Sequence, residues 1–135
     1  MRRCLLDSSF VIDLLNELAD RRAGPAVAWL KQNPRARLWI SPVTLAEVLE
    51  GAVDREAVKT YLAKFAWQGI GHAQAEKAAL RQGRGDRMGE NDAWQAAVAE
   101  CLDAAVVAHD PKAFGRLRKI ISTIALVERP NKTPR

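Results

Sequence analysis

A chain of 135 residues, 48% of them hydrophobic, is sized for one compact domain with a real core, and its formal charge of +5 favours a polyanionic partner, nucleic acid first. Cys4 and Cys101 stand in separate apolar segments with no metal-ligand spacing, which excludes a disulfide framework and reads as two buried thiols of a reducing compartment. The two N-terminal arginines precede too short an apolar run for a signal peptide, and no stretch approaches the roughly 20 apolar residues of a membrane span, so no membrane association and a cytoplasmic location are expected.

The first element is the run Arg3-Cys4-Leu5-Leu6, which stops at Asp7-Ser8-Ser9. A short apolar run ended by polar residues fits a buried parallel strand, and Ser8 or Ser9 is expected to cap a helix starting near Phe10. Asp7 then stands at a strand's carboxyl end, where open α/β sheets hold their ligands; a plain helix cap is the alternative. Phe10, Val11, Leu14, Leu15 and Leu18 recur at helical spacing, with Asp13 on the wet face. Gly24-Pro25 opens a second helix that stops near Asn33-Pro34 and carries Trp29 toward the core.

Arg37 to Ile40 reads as the second strand, and Ser41-Pro42 as a capped helix start. Glu47 falls in the second turn beside the apolar stripe of Leu45, Val48 and Leu49, which lets it face the strand ends. Glu50 is the rival acid, one turn further on. Gly51 suits a left-handed C-terminal cap. A helix is expected over 54–66, a short strand over 67–70 and a helix over 73–82, with no partner evident for His72. Gly83 to Gly89 breaks the pattern with three glycines and two arginines and is read as a connection, since it lacks the spacing of either nucleotide fingerprint.

From Glu90 a helix begins with Asn91 or Asp92 at its start and the small residues Ala93, Ala96 and Ala97, with Cys101, on one face. Residues 104–107 form a strand ending at Ala108-His109-Asp110-Pro111, a second apolar run closed by an acid. A turn with Phe114 and the basic residues Arg116, Arg118 and Lys119 follows, then an apolar segment over 120–127. Alternating strands and helices argue for a parallel sheet with helices on both faces, so that Asp7 and Asp110 share the carboxyl edge and Glu47 and Asp92 lie in helix turns that start from it. Four acids gathered there repel one another unless a divalent cation offsets them. Hard oxygen ligands suit Mg²⁺, with Mn²⁺ as a substitute, and a phosphodiester is the bond such a site hydrolyses.

These residues carry a resemblance. Leu6-Asp7-Ser8-Ser9, Ala46-Glu47 with Gly51, Gly89 with Asn91-Asp92 and Ala96-Ala97, and Val107 to Asp110 with Phe114 together resemble a PIN-domain ribonuclease, more narrowly a VapC-type toxin of a bacterial toxin–antitoxin pair. The resemblance implies a three-layer α/β/α domain over 1–128, with a parallel sheet of four or five strands; the two prolines and three basic residues that follow read as a flexible basic tail over 129–135. It implies that Asp7, Glu47, Asp92 and Asp110 bind metal, with Ser9 hydrogen bonding at the site. An RNA substrate, an antitoxin and a second copy of the chain are the implied partners. Arg84, Arg87, Arg116 and Lys119 flank the acidic edge as candidate RNA-backbone contacts.

Two positions depart from the family pattern: Gln95 stands where an isoleucine often precedes the Ala-Ala pair, and Ala108 where a Thr or Ser is common. Ala108 removes a hydroxyl that would orient Asp110. His109 is assigned a structural or phosphate-facing role. The competing readings are a catalytically weak PIN-fold module that binds RNA or protein, and a phospho-accepting signalling domain. The latter calls for a lysine beyond a late strand, and no lysine is well placed. Trp94 with Val98 is a candidate apolar patch for a partner, against ordinary helix packing.

Overall fold

The computed structural model describes residues 2–83 and 89–108. Among these residues four strands, β1 (Arg3–Leu6), β2 (Arg37–Ile40), β3 (Ala66–Trp67) and β4 (Ala105–Val107), form one parallel sheet in the order β3-β2-β1-β4. Six helices of the described residues connect or flank them: α1 (Ser8–Ala19), α2 (Pro25–Gln32), α3 (Pro42–Glu50), α4 (Arg55–Leu62), α5 (His72–Gly83) and α6 (Glu90–Leu102). β1 is central because it is apolar on both sides. Cys4 and Leu6 point into the layer that holds Phe10, Leu14, Trp29 and Val48, whereas Leu5 points into the layer that holds Ala96, Ala99 and Leu102. Adjacent Val106 and Val107 of β4 divide between the layers in the same way.

The α1–α2 layer is stitched by Glu17, whose carboxylate accepts the backbone N–H groups of Gly24 (2.6 Å), Ala26 (3.0 Å) and Val27 (3.0 Å). Gly24 itself supplies no side-chain cap, so an acid from the preceding helix satisfies the N-terminal donors of α2. A Cβ at Gly24 would lie 2.7 Å from Glu17 Cδ, so a larger residue there would displace the carboxylate from these N–H groups. Phe10 meets Trp29 edge to face, with centroids 5.6 Å apart. On the other side α6 is fully buried at Ala93 and from Gln95 to Ala99, because the sheet covers one flank and α5 another. An Arg81–Glu100 ion pair ties α5 to α6.

Several expectations are corrected. Asp7, not Ser8 or Ser9, is the N-cap of α1, and the helix starts at Ser8. Gly51 has φ −96°, so α3 ends without a left-handed residue. The fourth helix stops at Leu62, four residues short of expectation, with Asp54 as its cap. Gly89 caps α6, which puts Asp92 third in the helix. Cys101 is exposed, not buried. Cys4 is buried, and burial pushes its thiol up against the opposing Arg2 charge. His72 does have a partner, Glu76 Oε1 at 3.3 Å, on an exposed helix face. Asp13 is half-buried rather than wet, and Val98 is fully buried, so Trp94 and Val98 make no surface patch. The segment over 120–127 and the tail over 129–135 lie outside the described residues.

Candidate functional site

The carboxyl edge of the sheet is built by three chain segments. β1 ends at Leu6, and Asp7 leaves it with its N–H donating to Val107 O of β4 at 2.9 Å. The Asp7 side chain then caps α1: Oδ2 accepts from Ser9 N at 3.2 Å and from Ser9 Oγ at 2.7 Å. Both bonds fall on one oxygen, so Oδ1 takes neither. Asp7 is 7% exposed and Ser8 8%, a nearly buried carboxylate at a helix N-terminus, where the backbone N–H groups favour negative charge. Asp7 is thus both the cap of α1 and the acid that directly follows β1.

Glu47 projects from the second turn of α3 and accepts a hydrogen bond from Ser8 Oγ at 3.1 Å. Adjacent serines thus hold two acids, Ser9 holding Asp7 and Ser8 holding Glu47. Ser9 was anticipated and Ser8 was not, because its partner is distant in sequence. Glu50 is exposed. Among the described residues no Lys, Arg or His forms an ion pair with Asp7 or Glu47.

Asp92 is half-buried in the first turn of α6, folded back so that a Cβ at Gly89 would lie 3.9 Å from its Oδ2. One turn further, the fully buried Gln95 reaches α3 and the end of β1. Ser41 Oγ donates to Gln95 Oε1 at 2.5 Å, Gln95 Nε2 donates to Thr44 Oγ1 at 2.6 Å, and Thr44 Oγ1 donates to Leu6 O at 2.8 Å. Sequence reasoning treated Gln95 only as a departure. The available signal was Ser41, Thr44 and Glu47 spaced three apart on α3, which stacks a cap, a hydroxyl and an acid along neighbouring positions of one helix.

The structure brings Asp7, Ser9, Glu47 and Ser8 together, with Asp92 one turn before a residue that bonds to the same edge. Among the described residues no three His, Cys, Asp or Glu side chains converge into a metal cluster. Ala108, buried, is the last described residue of that edge; His109, Asp110, Lys112, Arg116, Arg118 and Lys119, like Arg84 and Arg87, lie outside the described residues. The donor chemistry present, two carboxylates with hydroxyl partners and, among the described residues, no paired cation, fits a hard divalent ion.

A groove of about 460 Å³ runs between α1 and the α3–α4 corner, lined by Ile12, Leu15, Leu18, Val53, Val58 and Tyr61 among others. Ile12, Leu18 and Val53 are exposed large apolar residues. No described helix is long and apolar enough to cross a membrane.

The family model that matches the chain is the PIN domain, over residues 4–120. No curated protein matches significantly. Among solved structures, a toxin–antitoxin complex from Klebsiella pneumoniae has a chain 25% identical with a TM-score of 0.75, covering 93% of this chain and 99% of that one. VapBC-1 from nontypeable Haemophilus influenzae matches at 22% identity and TM-score 0.63, covering 90% and 96%. DNA-bound VapBC from Salmonella typhimurium matches at 18% identity and TM-score 0.68, covering 92% and 98%, and these last two likenesses carry the fold alone. The chain belongs to the PIN-domain family, a nuclease family generally dependent on a divalent metal, and its fold is that of a chain in VapBC complexes.

Proposed function

We propose that the chain is a Mg²⁺-dependent endoribonuclease, the toxin of a toxin–antitoxin pair. The observation that carries this reading is the pair of acids on adjacent serines: Asp7 at the end of β1, fixed through Oδ2 by Ser9, and Glu47 fixed by Ser8. In this reading Asp7 and Glu47 hold the ion, Asp92 from α6 and Asp110 beyond β4 complete the ligand set, and Mn²⁺ can replace Mg²⁺. The bound ion supplies charge neutralisation at the phosphate and acidifies a water for attack on the phosphodiester. The serines prevent the carboxylates from rotating away from that task. Arg84, Arg87, Arg116 and Lys119 contact the RNA backbone and offset the repulsion between a polyanion and the acidic edge.

The antitoxin seats an apolar segment in the groove lined by Ile12, Leu18 and Val53. Exposed apolar surface in a concavity supports this placement, as do neighbours described as toxin–antitoxin complexes. The homodimer expected from the resemblance is checked by sedimentation of the purified chain. The competing reading is a PIN-fold module that binds RNA or protein without cleaving.

One experiment separates the two. Purified protein is incubated with end-labelled RNA in Mg²⁺, in Mn²⁺ and in EDTA, beside the Asp7→Asn variant prepared identically to exclude contaminating ribonuclease. Endonucleolytic products that need the metal and vanish in the variant support the enzyme. RNA binding without cleavage in either metal supports the module.

A further inference from the structure

The Gln95 network is buried, polar and directional. Ser41, Thr44 and Gln95 are each 0% exposed, so every donor and acceptor among them has to find its partner inside the protein. The amide oxygen accepts from Ser41 Oγ and the amide nitrogen donates to Thr44 Oγ1. Because that hydroxyl already receives a proton from Gln95, its own proton has to point elsewhere, and it goes to Leu6 O. Leu6 is the last residue of β1, and the β1–β2 register runs only from Arg3 to Leu5. The Thr44 hydroxyl therefore takes the place of a strand partner where the chain turns into Asp7. On the following peptide, Asp7 N–H is held by Val107 O. The Asp7 backbone is pinned on both sides, one side by β4 and the other through Thr44.

Glu47 belongs to the same unit. It is one turn beyond Thr44 on a nine-residue helix whose cap, Ser41, is also a Gln95 partner. A glutamine on α6 thereby fixes the origin of α3 and the exit of β1, the two elements that carry Glu47 and Asp7.

We infer that Gln95 is a positioning residue of the nuclease site, which sets the separation and orientation of Asp7 and Glu47 by locking the Thr44 hydroxyl onto the Leu6 carbonyl. The inference rests on the proposed cleavage reaction. Glutamine is needed because it both accepts and donates: an apolar side chain of similar length leaves Ser41 Oγ without its acceptor and frees Thr44 to rotate. A glutamine whose role is only structural would affect melting temperature alone. A positioning residue lowers the rate of the chemical step while leaving RNA affinity intact.

The test uses the full chain and five variants: Gln95→Met, Gln95→Leu, Thr44→Val, Thr44→Ser and the double variant Gln95→Met/Thr44→Val. Single-turnover RNA cleavage is measured against RNA concentration and against Mg²⁺ concentration. Small displacements of reacting groups cost up to about a hundredfold in rate, so Gln95→Met and Thr44→Val are expected to slow kcat by about ten- to a hundredfold. KM for RNA stays within about twofold, the Mg²⁺ needed for half-maximal rate rises, and Thr44→Ser, which keeps the hydroxyl, retains most of the rate. The double variant is no slower than the slower single, because both act through one hydroxyl.

A parent-like kcat in Gln95→Met or Gln95→Leu overturns the inference, as do losses that multiply in the double variant. A chain that fails to fold with either Met or Leu at this position overturns it too, since the network would then be structural. Failure of the parent itself to cleave RNA refutes the proposed function, a result distinct from any of these.

Discussion

Asp7 has two duties that one pair of substitutions can separate. As N-cap of α1 it accepts from Ser9 N–H at 3.2 Å and Ser9 Oγ at 2.7 Å, and in the proposed reaction it also supplies negative charge to a cation. Asn caps helices as well as Asp does, so Asp7→Asn keeps the cap and removes only the charge; Asp7→Ala removes both. Loss of an N-cap costs about 1 kcal/mol, which in a domain of this size lowers the melting temperature by roughly 3–5 °C. Melting in EDTA is therefore expected to place Asp7→Asn within about 2 °C of the parent and Asp7→Ala clearly below it. Cleavage falls in both by roughly a hundredfold or more, the equivalent of losing about 3 kcal/mol of transition-state stabilisation. The assays are calorimetric melting without metal and gel-resolved cleavage of labelled RNA in Mg²⁺. Parent-like cleavage by Asp7→Asn would refute the metal role. An Asp7→Asn variant as unstable as Asp7→Ala would show that the charge, not the cap geometry, holds the start of α1.

For the acids of α3, Glu47→Gln is expected to be inactive and Glu50→Gln near normal, because Glu47 is bonded to Ser8 and Glu50 is exposed; the reverse pattern in the same assay would place the ligand one turn further along the helix. Mg²⁺ should raise the melting temperature of the parent by mass action, by about 2.7 kcal/mol of stability at a hundred times its dissociation constant, and no shift at millimolar Mg²⁺ would mean that the acids form no common site. Replacing Arg84, Arg87, Arg116 and Lys119 together with Ala should flatten the slope of log affinity for RNA against log salt by about 2 to 3, measured by fluorescence anisotropy; an unchanged slope would route the RNA elsewhere.

The sequence by itself determined the main elements and the sheet edge at which Asp7 stands. An apolar run that stops at Asp7, the Ser41-Pro42 helix start and the small residues of α6 are local signals. Each depends on backbone angles and hydrogen bonds among near neighbours, so strand, cap and helix could be read where they occur. The parallel sheet followed from strands alternating with helices, and the less exposed position of Glu47 relative to Glu50 from helix phase.

Other features were decided only by tertiary packing. Ser8 meets Glu47 across 39 positions and Gln95 meets Ser41 across 54, contacts that no periodicity encodes because they depend on how α3 and α6 settle against the end of β1. Which of Asp7, Ser8 and Ser9 caps α1 was a near tie on local preference, and the long-range bond of Ser8 to Glu47 uses that hydroxyl elsewhere. Whether Cys101 or Val98 is buried likewise turned on where α5 lies over α6. Apolar residues of one helix look alike in sequence, and only the neighbouring layers determine which of them water reaches.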